Sequence, residues 1–410
     1  MKKALVLANL FPFSEIEQYM ETEEKYYKRF DKVWIASLGL SETALRKKRK
    51  LQSKADVIPV LDKSMRYYRF NCITILTDRN LYKELLELKK AHRLTRQHIN
   101  YLLYYISKSH YTARVIDKAL KNEDKNDLLI YAYRFEFQSY VALLLRKKWG
   151  YKSKIVCRAH GYDLYEERNA LNYIPMRRVI LNEADYVFPC SQCGVEYIKN
   201  RYSIGKTCVD VRYLGTVDHG EKEFISSRET LSILSCSYVL EVKRLDRIVD
   251  ALSLIRDIPI EWIHYGDGIL LDELRKYADN NLNSNVRVSF AGNIPNSELM
   301  QKYASRDFCV FLNVSSSEGL PVSIMEAMSF GIPCIATDVG GTKEIVDNDH
   351  GFLISKDAGA EEISEAIRAL YSMNENDYRA LRHRARAFWE AHFDAENNYN
   401  DFINELVSLK

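Results

Sequence analysis

Residues 315–354 read SSSEGLPVSIMEAMSFGIPCIATDVGGTKEIVDNDHGFLI, and the spacing inside this stretch decides the fold. Glu318 and Glu326 stand eight residues apart around a helix start. Pro321 suits the first helical turn, where its missing N–H costs nothing and its φ is already helical. Gly331 and Pro333 then stop the helix just after Met328–Phe330. Glu318 is therefore placed in the loop before the helix, and Glu326 more than one turn inside it. The free N–H groups of residues 319–323 and the positive end of the helix dipole form a seat for a phosphate. Two carboxylates beside a phosphate repel it unless they serve hydroxyl groups on the same ligand, so the stretch has the chemistry of a nucleotide-sugar site.

Outward from this stretch, short apolar runs alternate with amphipathic ones. Residues 231–236, 261–265, 286–290, 308–312 and 334–337 are expected as buried strands. Residues 245–255, 270–278, 296–305 and 321–330 have helical periodicity. Strand–helix alternation of this kind predicts a parallel, doubly wound sheet whose ligands sit beyond the carboxyl ends of the strands. The polar and glycine residues after those strands, including Tyr238, Lys243, Gly292 and Glu318, then share one edge. Residues 4–9, 33–36, 128–131, 155–158 and 186–189 are strand candidates of a second, less regular sheet. Residues 45–119 are expected to be basic, Tyr-rich and largely helical.

A chain of 410 residues is too long for one ordinary core. Its formal charge of +3 hides an asymmetry. Residues 1–200 carry 37 Lys and Arg against 23 Asp and Glu, whereas residues 201–410 carry 22 against 33. The expected division is residues 1–205, residues 206–375, and C-terminal helices over 376–410 that pack back on the first domain. Lys2 and Lys3 before an apolar run imitate a leader peptide. The run is short, lacks a small-residue cleavage site and ends in EIEQYMETEE, so it is expected to be a strand. No segment has the apolar length needed to span a bilayer. Of the eight cysteines only Cys190 and Cys193 are close, and an isolated C-x-x-C is a poor zinc site. Asp347-Asn348-Asp349 has the D-x-D form that binds metal–diphosphate complexes, but the following His350-Gly351 and a strand-like run favour a turn.

Five blocks carry a family resemblance: RAHGYDLYEERN from Arg158, CSYVLEVKRLDRIVDAL from Cys236, HYGDGILLDEL from His264, VSFAGNIPNSELMQKYASRDFCVFLN from Val288, and the opening stretch. Together they resemble the retaining glycosyltransferases of family 4, bacterial polysaccharide branch. That likeness implies the GT-B architecture, two Rossmann-like domains with the active site in an interdomain cleft. It also implies that Glu326 holds the ribose hydroxyls of a nucleoside-diphosphate sugar, most simply UDP-linked. Glu318 would contact the donor sugar and stabilise charge at the anomeric carbon. Gly319, Leu320, Pro321 and Val322 would offer backbone contacts, with Gly292 also on the donor side.

Lys243 corresponds to the lysine of the family's R-L-x-x-x-K-G phosphate pattern. Here Tyr238 replaces the usual Arg and Arg244 the usual Gly. His160 corresponds to the histidine near the reacting carbon, and Arg158 and Asp163 are expected at the acceptor. Each has a plain structural alternative: Glu318 as a capping acid, Lys243 as a solvated lysine, His160 as a core histidine, Asp163 as a loop hydrogen bond. The Gly-rich turn that many relatives place after their first strand is replaced by NLFPFS, and Glu17 beyond it has no assigned role.

The resemblance thus implies a hexosyltransferase that needs no metal, acting on a lipid-linked or growing cell-surface glycan, capsule or exopolysaccharide. It would work in the cytoplasm at the inner face of the plasma membrane. Residues 46–50, RKKRK, and the Tyr/Arg run 66–70 either lie on anionic lipid or form a solvated face. No nucleic-acid recognition module is visible. The rivals are a GT-B nucleotide-sugar epimerase, a phosphorylase, and a weakly catalytic glycan-binding scaffold.

Overall fold

The computed structural model describes residues 2–14, 17–70, 75–220 and 228–409. They form two compact units. One runs to Arg212 and regains the chain from Tyr399 onward; the other is Tyr213–Asn398.

The first unit is built on seven parallel strands: β1 (Lys3–Ala8), β2 (Lys32–Leu40), β3 (Asp56–Leu61), β4 (Leu128–Ala132), β5 (Ile155–Ala159), β6 (Tyr186–Pro189) and β7 (Cys208–Val209). Their order is β3-β2-β1-β4-β5-β6-β7. All residues of β1, β4 and β5 are buried, because helices cover both faces of a parallel sheet. Helix Phe137–Lys148 packs on Arg96–Ala119, and Ile106, Ile116, Tyr140 and Leu145 lie in one core with Leu5 and Ile130. Strand β3 interrupts the region expected to be largely helical. Pro59 at the centre of DVIPVL weakens its strand signal, yet an edge strand tolerates a residue with no ladder donor.

The second unit has six parallel strands: β8 (Leu231–Cys236), β9 (Ile260–Tyr265), β10 (Val286–Gly292), β11 (Val310–Asn313), β12 (Cys334–Thr337) and β13 (Phe352–Ile354). Their order is β10-β9-β8-β11-β12-β13. Both units are therefore doubly wound α/β, as the alternation predicts. In each sheet the order reverses beside the first strand, between β1 and β4 and between β8 and β11. Crevices at such reversal points are where ligands enter folds of this class.

Helix Val322–Ser329 follows β11 and buries Ile324, Met325, Ala327 and Met328. Pro321 is its cap, with ψ at 101°, so the helix starts one residue later than expected. Gly331, at φ +67°, ends it in the left-handed conformation that glycine adopts without cost.

Candidate active site

The loops after β8 and β11 meet at the reversal point of the second sheet. Ser316 N donates to the Val242 carbonyl at 2.8 Å, which ties the two loops together. Lys243 Nζ then stands 2.6 Å from Glu318 Oε1. Asn313, the last residue of β11, donates to the same oxygen at 3.3 Å. Burial opposes ionisation of Glu318, but Lys243 and its hydrogen bonds outweigh it and hold the carboxyl below its ordinary range. The expected diphosphate cation and the expected sugar carboxylate are thus partners in the free protein.

The backbone around Glu318 is held by a close approach. Gly341 N donates to the Gly319 carbonyl at 2.8 Å. Gly340 has φ +55°, and a Cβ there would fall 1.9 Å from the Glu318 carbonyl oxygen. Only glycine fits. The N–H groups of Gly319, Leu320, Val322 and Ser323 have no hydrogen-bond partner among the described residues, and no side chain caps the helix. This is the unsatisfied, positively polarised terminus that an anion completes.

Glu326 lies one turn further along, half-buried, and accepts a 2.7 Å bond from Asn296 Nδ2. Burial pushes its carboxyl up to about 7, with Asn296 opposing the shift. Asn296 opens helix Asn296–Ser305, beyond β10. Gly292 ends that strand at φ +73°, and its carbonyl accepts from Gly266 N at 2.9 Å. No atom lies within 4 Å of the place its Cβ would take, so the strand end faces open space.

The two departures from the phosphate pattern have different structural meanings. Tyr238 is 64% exposed and supplies no charge. Arg244 takes up the left-handed conformation itself, at φ +49°. Its guanidinium donates to three carbonyls, Val314 at 2.7 Å and Ser315 and Lys356 at 2.9 Å each. That corrects its expected place among the donor-binding cations. Its charge is spent on the backbone of the loop that leads to Glu318.

In the first unit, His160 follows β5 and is oriented by Asp163. The carboxylate of Asp163 accepts from His160 N at 2.7 Å and from Phe135 N at 2.8 Å, and lies 3.3 Å from His160 Nδ1. Burial opposes its ionisation, yet His160 and Arg134 hold this carboxyl well below the usual range. His160 Nε2 is enclosed and has no hydrogen-bond partner among the described residues. Its other nitrogen is oriented by Asp163. Asp163 is fully buried, so it positions His160 and does not itself reach an acceptor.

Arg158 also belongs to the core. It has no exposed surface and sits 3.8 Å from Glu23 Oε2. Its guanidinium carbon is 4.5 Å from the Phe402 ring centre, under the C-terminal helix. Its expected contact with an acceptor is corrected accordingly. Glu17 closes the NLFPFS loop by accepting from the N–H groups of Asn9, Leu10 and Phe11 at 3.2, 2.7 and 2.8 Å, and from Arg134 Nε at 3.2 Å. A carboxylate thus occupies the backbone nest after β1.

Sequence reasoning missed Asn296, Asn313, Arg134 and the demand for glycine at 340. Each acts through another group, and only the Gly340-Gly341 pair carried a visible signal. Asp347 forms the expected turn, accepting from Asp349 N at 2.8 Å and pairing with His350 Nδ1 at 2.8 Å. Among the described residues no three His, Cys, Asp or Glu side chains are grouped to hold a metal. No described helix is long and apolar enough to cross a membrane. In the basic run Arg49 is paired with Glu21. Tyr68 is buried and donates to Asp62 at 2.6 Å, while the side chains of Lys47, Arg69 and Phe70 lie outside the described residues.

Residues 230–373 match the family model for glycosyl transferases group 1. N-acetyl-alpha-D-glucosaminyl L-malate synthase of Bacillus anthracis is 27% identical over 65% of this chain and 68% of its own length. A putative colanic acid biosynthesis glycosyltransferase of Escherichia coli is 21% identical over 65% of this chain and 66% of its own. Some other curated relatives are matched over less than half their length. Among solved structures, Anabaena HepE in complex with UDP and glucose superposes over 100% of both chains, with a TM-score of 0.68 and 17% identity. The lipopolysaccharide outer core galactosyltransferase WaaB superposes over 99% of both, at a TM-score of 0.71 and 14% identity. With the doubly wound pair of sheets and the ordered blocks from Arg158 to Ile354, these matches show a group 1 glycosyltransferase domain over residues 230–373, in a chain with the GT-B fold.

Proposed function

We propose that the chain is a retaining hexosyltransferase that moves a sugar from a UDP-sugar to a hydroxyl of a lipid-linked or growing cell-surface polysaccharide. The observation that carries this reading is the set of groups at the β8/β11 reversal point. One cation, Lys243, stands beside an uncapped helix terminus and is flanked by two carboxylates, Glu318 and Glu326, suited to hydroxyl groups. The Tyr213–Asn398 unit is taken as the donor half and the other unit as the acceptor half.

In this mechanism the diphosphate leaves against Lys243 and the N–H groups of residues 319–323, which stabilise charge that develops only as the bond breaks. Glu318, freed from Lys243, balances positive charge at the anomeric carbon. The acceptor hydroxyl attacks the same face, passing its proton to the leaving phosphate. The UDP base is favoured because the superposing HepE was solved with UDP. A glycan acceptor is favoured by the name of the colanic acid relative. We place the reaction at the cytoplasmic face of the plasma membrane, where lipid-linked glycans are extended, and expect no metal requirement.

Calorimetric titration of UDP in EDTA, with GDP, ADP and uridine as controls, tests the donor site. Lys243→Ala should bind uridine like the native protein and lose the preference for UDP over uridine. Product anomeric configuration by NMR, on transfer from UDP-hexoses, tests retention. UDP binding only with added metal, or GDP or ADP winning over UDP, would overturn the donor reading.

A further inference from the structure

The first unit has one helix whose outer face is not that of an ordinary solvated helix. Arg79–Lys90 turns Leu81, Glu84 and Leu88 inward. Its exposed residues are Arg79, Tyr82, Lys83, Leu86, Lys89 and Lys90. Tyr82 and Leu86 are four apart and so lie one turn above each other, at 51% and 58% exposure. Leu76, just before the helix, is 58% exposed and joins them, because Tyr82 Oη donates to its carbonyl at 2.8 Å. Three apolar side chains thus stand in water within a ring of four cations. Surface helices normally direct such residues to the core.

Of the carboxylates in this stretch two are engaged elsewhere, and the third pairs with one of the four exposed cations. Between residues 63 and 96 the sequence has nine Lys and Arg but only Asp78, Glu84 and Glu87 as acids. Asp78 caps the helix at Asn80 N and is bonded by His110 Nε2 at 2.7 Å and Tyr140 Oη at 2.6 Å. Glu84 is buried beneath Tyr173 Oη at 2.9 Å. Glu87 is shared between Lys90 at 2.9 Å and Arg178 at 3.5 Å. The surface that remains is cationic at its rim and apolar at its centre. A polyanion such as RNA would match the rim but has no use for Leu76 and Leu86. An anionic bilayer matches both, with phosphates for the lysines and an interfacial layer for the aliphatic and phenolic side chains.

We propose that the outer face of helix Arg79–Lys90, with Leu76, docks on an anionic lipid bilayer. This deepens the membrane part of the proposed function and rests on it only for its biological use. It also moves the contact away from the RKKRK run, where Arg49 is already paired with Glu21.

Flotation with vesicles of phosphatidylcholine, with and without phosphatidylglycerol, tests the proposal. The native protein should bind only the anionic vesicles. Losing Lys83 and Lys89 in the double Gln variant should weaken partition about fivefold per lysine at low salt, and less at high salt. Leu86→Gln should weaken it about tenfold at either salt. Gln at Lys48 and Lys50 should leave it unchanged. Equal binding to neutral vesicles would overturn the proposal, as would lysine and leucine variants that bind like the native protein. Full displacement by soluble polyphosphate, with Leu86→Gln silent, would overturn it in favour of a polyanion site. Thermal melts confirm that the variants fold, and UDP titration of the same samples tests the donor reading separately.

Discussion

Glu326 offers the sharpest test of the donor site, because its ionisation falls in an accessible range. Burial sets its carboxyl at about 7 in the free protein. Such a group is about nine-tenths ionised at pH 8, about one-tenth at pH 6 and about one-hundredth at pH 5. A hydrogen bond to a charged group contributes about 1.5–3 kcal/mol, against about 0.5–1.5 kcal/mol between neutral groups. Two ribose hydroxyls on the carboxylate therefore lose about 2–3 kcal/mol together when it protonates. Because the carboxyl is only half-buried, the lower end of that range is the safer figure, about thirtyfold in affinity. The assay is calorimetric titration of UDP-glucose, whose diphosphate diester keeps its charge throughout. Native affinity should fall about fourfold from pH 7 to pH 6 and about twentyfold in all from pH 8 to pH 5, where it levels off. Glu326→Gln keeps a carbonyl for Asn296 Nδ2 but cannot ionise. Its affinity should be flat with pH, about thirtyfold below native at pH 8 and within a few-fold of it at pH 5. A gap of the same size at both ends, or a flat native profile, would refute the assignment of Glu326 to the ribose.

Three further outcomes are expected. Tyr238→Arg adds a cation at a side chain already 64% exposed, so it should leave stability unchanged. UDP should then bind about tenfold tighter at low salt, and uridine as before. Asp163→Ala strands the N–H groups of Phe135 and His160, at about 1–3 kcal/mol each. A calorimetric scan should show a melting point lower by roughly 5–10 °C. The Asp163 carboxyl is held below its usual range, so its ionic contribution is present above the unfolded value near pH 4 and is lost as acid titrates the folded form. The gap between native protein and Asp163→Asn should accordingly persist from pH 7 to pH 5. Gly340→Ala drives a Cβ into the Glu318 carbonyl and should weaken UDP-sugar binding as well as stability. Gly331→Ala, also at positive φ but with its nearest neighbour at 3.4 Å, should lower stability and leave donor binding intact.

How much of this was legible depends on whether a residue acts directly or through another. The strands 231–236 and 334–337 and the helix 296–305 are visible because their burial produces periodicity on its own. Glu318 and Glu326 are visible because the helix start read at Pro321 fixes where two carboxylates stand, and Lys243 because VLEVKRLD resembles the family's phosphate pattern. Asn296 is not visible. It lies 30 residues from Glu326, and only the pairing of β10, β9, β8 and β11 brings the loop after β10 round to helix Val322–Ser329. The same holds for Asp163 and Arg158, which share a block with His160 and differ from it only in burial. A loop motif lists the residues that a family keeps there; which of them faces the ligand and which holds the loop is settled by packing.

Tyr238 and Arg244 show why the distinction matters. In the sequence they form one departure, a lost cation and a lost glycine within a single phosphate pattern. In three dimensions they separate. The position of Arg244 requires the left-handed conformation, at φ +49°, which costs a non-glycine residue about 1–2 kcal/mol. Three hydrogen bonds from its guanidinium to the carbonyls of Val314, Ser315 and Lys356 offset that cost, since a bond from a charged donor contributes about 1.5–3 kcal/mol. Arg244 is therefore a substitute for glycine by other means, and it braces the loop that presents Glu318. Tyr238 has no such compensation: it is exposed and uncharged. On the proposed reading the diphosphate meets Lys243 and backbone N–H groups. A site with so little fixed positive charge relies on the helix terminus more than the full pattern would, which is why the exclusion of a Cβ at Gly340, far along the chain, bears on donor binding at all.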